Sequence, residues 1–472
     1  MILMKRFSIL ATLLLLAGYR LSPAAMPDTA EVLEMLNRAN TCWQSRNPQA
    51  GTAFWHNAAY HTGNMEAWRV TGSDEYFEYS LKWAEANDWK GAGSDNKTAW
   101  RYDYGETDNH VLFGDWQICF QTYIDLYVVK KDPAMIARAV EVMEYQMQTD
   151  KNDYWWWADG LYMVMPVMTK LYKVTKNEQY LDKLHEYFSY AKSIMYDDAT
   201  GLFFRDAKYV YPQHKTLNGK KDFWSRGNGW VFAGLAKVLQ DLPAASSCRE
   251  ELVTIFQKMA RTLAEAQQTK GYWTRSLLDP EHAPGYETSG TAFFTFGYLW
   301  GINNGILDKE TCLPVALSAW EYLSGRALQG SGHVGYVQPI GEKAIPGQVV
   351  SEQSTADFGV GAFLLACAEM KRFSSGETTV FISSMGRRKQ MNALPSLQVK
   401  RFGTTGLSIH CQTGNMKNGH LRVVDLQGRL RYRRSVEFRN NSAALSDINC
   451  TSGFYRLIFG AGHLTAGTVY MK

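Results

Sequence analysis

From about residue 30 to 375, apolar positions recur at helical spacing and one junction is repeated. A helix closes on an aromatic or aliphatic residue, a short polar turn follows, and a new amphipathic helix begins. Trp68-Arg-Val-Thr-Gly-Ser-Asp-Glu-Tyr76-Phe77, Tyr127-Val-Val-Lys-Lys-Asp-Pro-Ala-Met135 and Tyr172-Lys-Val-Thr-Lys-Asn-Glu-Gln-Tyr180-Leu181 carry it, with looser versions at Leu239 and Ile302. These points lie 45 to 67 residues apart. Each interval accommodates one helical hairpin, so the pattern predicts helix pairs in series. Longer loops rich in Trp, Tyr, Gly, Asp and Asn lie between the pairs, at residues 101–114, 152–160, 201–230, 271–290 and 332–341. Short turns at one end and aromatic loops at the other predict an all-α fold, a closed (α/α)6 six-hairpin barrel over residues 26–375 with its cleft on the loop side. An open solenoid has a stricter period and less aromatic loops.

The pattern changes after Cys367. Ser374-Ser375-Gly376 and Ser383-Ser384-Met385-Gly386-Arg387-Arg388 predict a linker over residues 376–394. Period-two runs such as Leu397-Gln-Val-Lys, Leu421-Arg-Val-Val-Asp-Leu and Gly453-Phe-Tyr-Arg-Leu-Ile-Phe then predict a small C-terminal β-sandwich over residues 395–472. Its Asp425-Leu-Gln-Gly-Arg429 turn and Gly453-Phe-Tyr-Arg segment resemble the sorting or Ig-like modules of exported bacterial enzymes. At the other end, Lys5 and Arg6 precede an apolar run over 7–18 and then Ser22, Pro23, Ala24 and Ala25, the order of a secretory signal. Residues 1–25 are expected to be removed, which predicts a periplasmic or secreted protein. The run is too short to span a bilayer, and Tyr19 stands where a lipoprotein signal carries cysteine.

Composition narrows the function. With 46% hydrophobic and 20% charged residues the chain is globular, and its net charge of +4 is spread without a basic block, which argues against a nucleic-acid partner. The 13% aromatic content, with 15 Trp and 26 Tyr, suits a cleft walled by rings, as carbohydrate-active proteins have. Seven scattered cysteines show no CxxC or Cys/His ligand spacing, so no metal site is expected and nothing points to an organic cofactor. Cys411 and Cys450 share one region and are candidates to pair in an oxidising compartment. Nothing in the pattern specifies an oligomer.

Asp153-Tyr154-Trp155-Trp156-Trp157-Ala158-Asp159-Gly160-Leu161-Tyr162-Met163 sets a carboxylate behind three tryptophans. An aromatic wall disfavours the charged form and raises a carboxyl pKa toward the working pH, which suits a general acid. The plain alternative has the tryptophans as helix core and Asp159 as an N-cap. Asp115, 44 residues earlier in Gly114-Asp115-Trp116, occupies the matching place one hairpin before, so the two carboxyls can meet in one cleft. Asp115 has the same N-cap alternative, and Asp108 is the runner-up for the second acid. In Asp222-Phe223-Trp224-Ser225-Arg226-Gly227-Asn228-Gly229-Trp230, Arg226 is a candidate to fork onto a sugar carboxylate, with Asn228 and Trp230 as further sugar contacts. Its alternative is to stack on Trp224 or Trp230, or to hold the charge of the site's own acids.

Trp156-Trp157-Ala158-Asp159-Gly160-Leu161-Tyr162-Met163, Phe223-Trp224-Ser225-Arg226-Gly227-Asn228-Gly229-Trp230, Tyr286-Glu287-Thr288-Ser289-Gly290-Thr291-Ala292 and Gly335-Tyr336-Val337-Gln338-Pro339, in that order, resemble the unsaturated uronyl hydrolases of glycoside hydrolase families 105 and 88. The resemblance covers about residues 30 to 370. It implies a substrate oligosaccharide left by a polysaccharide lyase, ending in a 4,5-unsaturated uronic acid. It also implies hydration rather than ordinary acetal hydrolysis. The acid matching Asp159 protonates C4 and activates the water that adds at C5, and the one matching Asp115 assists. The indole and phenol faces of Trp156, Trp157 and Tyr162, which stack well on sugar rings, are the candidate sugar contacts beside the acid. One departure stands out: Gly201-Leu202-Phe203-Phe204-Arg205-Asp206 carries Arg205 where many members of family 105 have histidine, and either nearby His214 fills that space or Arg205 serves another subsite. A noncatalytic glycan-binding protein, an ordinary inverting glycosidase and a lyase on the same toroid are the competing expectations.

Overall fold

A computed structural model of the chain describes residues 26–376 and seven strand segments between 397 and 471. The expected signal segment, most of the expected linker and Cys450 lie outside the described residues. The chain divides into two compact units, with the boundary between Phe381 and Ile382.

In the first unit the helices follow in the order α1 (Thr29–Arg46), α2 (Trp55–Thr71), α3 (Asp74–Ala86), α4 (Gly114–Gln117), α5 (Cys119–Lys130), α6 (Ala134–Met147) and α7 (Ala158–Met163). They continue with α8 (Met165–Thr175), α9 (Gln179–Met195), α10 (Ser225–Asp241), α11 (Arg249–Ala266), α12 (Thr288–Asn303), α13 (Lys309–Tyr322) and α14 (Asp357–Ser375). Helices α2, α5, α8, α10, α12 and α14 each pack on the next, and α14 returns to α2, closing an inner ring. Around it, α3 packs on α2, α6 on α5, α9 on α8, α11 on α10, α13 on α12 and α1 on α14. This is an all-α toroid.

The repeated junction has one physical basis. In the three regular copies, the residue after an inner helix turns left-handed and its N–H closes onto the carbonyl four residues back: Gly72 onto Trp68 at 2.7 Å, Lys131 onto Tyr127 and Lys176 onto Tyr172 at 2.8 Å. Those caps end α2, α5 and α8. The long aromatic loops therefore gather where the inner helices begin. Ring closure depends on small residues: a Cβ on Gly63 of α2 would fall 2.2 Å from the carbonyl oxygen of Gly361 on α14. The inner helix α12 is buried on every side from Thr288 to Ile302, as expected for a helix inside a double ring.

The second unit contains strands β1 (Leu397–Phe402), β2 (Gly406–Cys411), β3 (Asn418–Asp425), β4 (Leu430–Glu437), β5 (Ser442–Leu445), β6 (Gly453–Gly460) and β7 (Leu464–Met471). All pairings are antiparallel, in two sheets ordered β1-β2-β5 and β4-β3-β6-β7. Among the described residues no helix is long and apolar enough to cross a membrane. Cys42, Cys119, Cys248, Cys312 and Cys367 are free thiols.

Candidate active site

Asp115 and Asp159 each sit in the first turn of a short helix, α4 and α7, that feeds directly into an inner helix, α5 and α8. The 44-residue spacing thus brings equivalent turns of neighbouring hairpins together, and α4 packs on α7. Neither carboxylate caps its helix: the N-cap positions belong to Phe113 and Trp157, and no side chain bonds there. Both line one cleft of about 440 Å³, whose walls include Trp55, Tyr104, Trp156 and Arg205. The runner-up Asp108 is exposed and accepts from the Gly93 N–H instead.

The tryptophan run divides by side. Trp155 is core, edge-on to Tyr187. Trp157 is almost wholly buried against Phe113 yet shows an edge to the cleft, while half-buried Trp156 is the open wall. Backbone pairing of Trp157 with Asp206, and the Ala158 N–H donating to the Arg205 carbonyl at 2.7 Å, dock the 203–206 segment beside Asp159. That docking sets the Arg205 guanidinium over Trp156, 5.8 Å from its ring centre, with Nε 3.7 Å from Asp159 Oδ2. Arg205 Nη1 also meets Asp206 at 2.6 Å and Glu342 at 3.5 Å. Lys208 Nζ lies 3.6 Å from the same Glu342 oxygen.

Burial pushes the Asp159 carboxyl above the ordinary aspartate range, and the Arg205 and Arg226 charges only partly oppose it. Burial raises Asp115 further, well above its usual range, with the Asp159 charge adding to the shift and Arg205 opposing it. Two buried carboxyls facing one cleft hold protons at pH values where a free carboxyl is ionised. Asp159 Oδ2 has no hydrogen-bond partner among the described residues, and Arg205 Nε also has none. Among those residues no group of three or more His, Cys, Asp and Glu is arranged to hold a metal ion.

Several expected sugar contacts lie behind the wall rather than on it. Arg226 is 1% exposed; it stacks on Trp224 and Phe358 and donates to the Gln338 and Pro339 carbonyls, both at 2.8 Å. With its Nη atoms committed there, it braces the 338–342 loop that brings Glu342 to the cleft. Burial lowers its pKa to about 10, opposed by Glu287 and Asp159. Asn228 clamps the Phe203 backbone through both N–H and carbonyl, at 2.8 and 2.9 Å. Trp230 is core, packed between Tyr162 and Phe293. Tyr162 is core too, its hydroxyl 2.7 Å from Thr62 Oγ1. His214 is held 2.8 Å from Asp222 and does not reach the cleft, so Arg205 alone occupies the position in question. The other motifs brace the same region: Glu287 caps α12 through the Ser289 and Gly290 N–H groups and takes the Gln338 N–H.

Trp55, Tyr104, Lys208 and Glu342 also line the cleft, and none of them belongs to the sequence motifs. Tyr104 lies in one of the aromatic loops. Lys208 lies in another, the 201–230 loop, while Trp55 and Glu342 lie outside all of them and carry no local signal, because their neighbours in the cleft are contributed by other hairpins.

A family model described as Glycosyl Hydrolase Family 88 matches residues 29–374. An unsaturated 3S-rhamnoglycuronyl hydrolase from Formosa agariphila is 33% identical over 345 residues, spanning 70% of this chain and 87% of its own. Among solved structures, a protein described as a polysaccharide lyase is 62% identical with a TM-score of 0.72, covering 75% of this chain and 99% of its own. A glycosyl hydrolase family 88 protein from Bacteroides vulgatus is 59% identical with a TM-score of 0.72, covering 74% and 100%.

Proposed function

The chain belongs to glycoside hydrolase family 88, and from that premise we propose that it removes a 4,5-unsaturated uronic acid from the nonreducing end of lyase-generated oligosaccharides, of pectic rhamnogalacturonan or glucuronyl type. Asp159 delivers its proton to C4 of the enol ether. Positive charge develops at C5, and the Asp159 carboxylate, now a base, takes a proton from the water that adds there. The C5 hemiketal so formed opens to a ketone and frees the ring oxygen as a hydroxyl on C1; the C1 hemiacetal this creates collapses to an aldehyde and releases the next sugar as an alcohol, with Asp159 protonated again. Asp115 orients the water and the ring hydroxyls. Arg205 and Lys208 hold the uronate carboxylate, and Trp156 carries the apolar face of the ring. This differs from the usual pair of carboxylates acting on an acetal.

The observation that carries the reading is the pair of buried carboxyls, both shifted upward, in a cleft that also presents Arg205. A proton donor to carbon needs a carboxyl still protonated near neutrality, and a uronate needs a cation. The test is to follow the enol-ether absorbance on lyase-generated pectic and glucuronan oligosaccharides. The band should decay, and the decay should vanish in Asp159→Asn. A second reading, β-elimination from a uronate, draws on the name of the 62% identical relative. In that case the band would grow on intact polysaccharide instead.

The same proposal includes export by residues 1–25, and a β-sandwich formed by the two C-terminal sheets as an accessory module. Fractionation of cells expressing the full chain tests the first. Expressing residues 395–472 alone tests the second.

A further inference from the structure

We propose that a second groove, walled by Tyr104 and Trp156 and carrying the Arg101 and Asp103 side chains, binds an uncharged, hydroxyl-rich sugar beyond the linkage that is broken. The inference rests on the function proposed above and adds a preference for substrate length.

The groove is an opening of about 620 Å³ next to the catalytic cleft, within the size range of small-ligand sites. Tyr104 and Trp156 line both spaces, so a chain leaving the cleft crosses these two rings to enter it. Its floor is held in place from below. Trp100 donates to the Ser94 carbonyl at 2.8 Å and is covered by the Arg138 guanidinium. Tyr102 packs on Tyr154 and bonds Asp153, and its carbonyl accepts from the Trp156 indole at 3.4 Å. A rigid aromatic floor binds a sugar face at little ordering cost.

The rim supplies the polar half of the site. Arg101 forks onto Asp103 through Nε and Nη2, both at 3.2 Å, and the two side chains are 61% and 59% exposed. A forked pair in solvent contributes little to stability, but it sets donors and acceptors side by side. That arrangement matches the adjacent hydroxyls of a pyranose, and the pair's internal neutrality gives no preference for a charged one. The backbone here is fixed independently, with the Arg101 N–H on the Asn109 carbonyl and the Leu112 N–H on the Arg101 carbonyl. Side-chain replacements therefore leave the loop path intact.

The test compares an unsaturated uronyl disaccharide, in which one neutral sugar follows the uronate, with the tetrasaccharide in which three neutral sugars follow it, both prepared from a lyase digest of an unsulfated polysaccharide whose repeat carries a single uronate. The full-length protein should show kcat/KM about tenfold higher on the tetrasaccharide, expressed through KM, a difference ordinary for one added subsite. Arg101→Ala and Asp103→Ala should each erase most of that gain. No length preference in the parent protein, or a loss shared equally by both lengths in the variants, would overturn the groove. If no unsaturated length is turned over, the parent function fails, and a fluorescence titration with the tetrasaccharide still decides the groove. Weaker binding in Arg101→Ala supports it, and no binding to the parent protein sinks it.

Discussion

The two ends of the barrel hold the same residue types at the same burial and do opposite things with them. At the end where the inner helices finish, Asp125 of α5 is 6% exposed and meets Arg69 Nη2 at 2.8 Å and Lys170 Nζ at 2.5 Å. Glu66 pairs with Arg69 and, at 2.5 Å, with Arg372, which also holds Glu369 at 2.9 Å. Burial favours the neutral acid at both ends. At the far end the Arg69 and Lys170 charges outweigh it, so Asp125 falls below the ordinary range and stays ionised. Asp159, 9% exposed, has its nearest cation at 3.7 Å and one oxygen unbonded, and it rises. Burial alone therefore does not tell an acid catalyst from a structural ion; the partners decide.

The sharpest way to break that comparison is to neutralise one acid at each end. Asp159→Asn should cost about a thousandfold in kcat, the scale of a lost general acid. Its thermal midpoint should hold or rise, because the variant no longer has a carboxylate that is costly to ionise in the fold. A large drop in midpoint with kcat retained would reverse its assignment.

Asp125→Asn should do the converse. It leaves Arg69 and Lys170 without their shared anion and should lose about 3 kcal/mol in urea unfolding, with kcat of the folded protein within a few-fold of the parent. The two ends also differ in the sign of their pH dependence. Asp125, lowered on folding, contributes stability present above the unfolded pKa and lost as pH falls through the folded one. Asp159, raised on folding, costs nothing below the unfolded pKa and progressively more as pH rises through the folded one. The stability advantage of Asp159→Asn over the parent should therefore widen from pH 4 to pH 8; a flat difference would contradict the raised pKa.

Arg205→Gln makes the cleft less like the far end by removing the cation beside Asp159. Its carboxyl should rise further, moving the alkaline limb of the kcat profile upward by roughly one pH unit. KM for the unsaturated uronide should rise as well. A limb that moves down would assign the limiting proton to another group.

The smallest effect belongs to Glu342→Gln. Its carboxylate lies against Arg205 and Lys208, where the proposed function puts the substrate carboxylate, so neutralising it should lower KM about two- to fivefold, the scale of a half-exposed ion pair. A higher KM would mean that Glu342 binds substrate itself.

Much of this was legible along the chain. Helical periodicity and the repeated cap turns specify hairpins, because cap geometry and apolar spacing are local properties. Asp115 and Asp159 were legible because equivalent turns in neighbouring hairpins must face one cleft. The expected sugar contacts Arg226, Asn228, Trp230 and Tyr162 lie beneath the cleft instead, Arg226 in its alternative place stacked on Trp224. A motif marks residues whose replacement is costly, and a brace beneath a cleft is as costly to replace as a contact within it.

What the sequence by itself determined is the set of hairpins, the end of the barrel that carries the cleft, and two acids on matching turns. Only the tertiary structure decided which tryptophan faces the cleft, that Arg205 rather than His214 stands beside Asp159, and that Lys208 and Glu342 join it. Each of those facts depends on segments far apart in the chain being docked within a few ångströms, as the Ala158 N–H is on the Arg205 carbonyl. The sign of a buried carboxyl's pKa is set by the charges that docking brings near, so it too belongs to the fold.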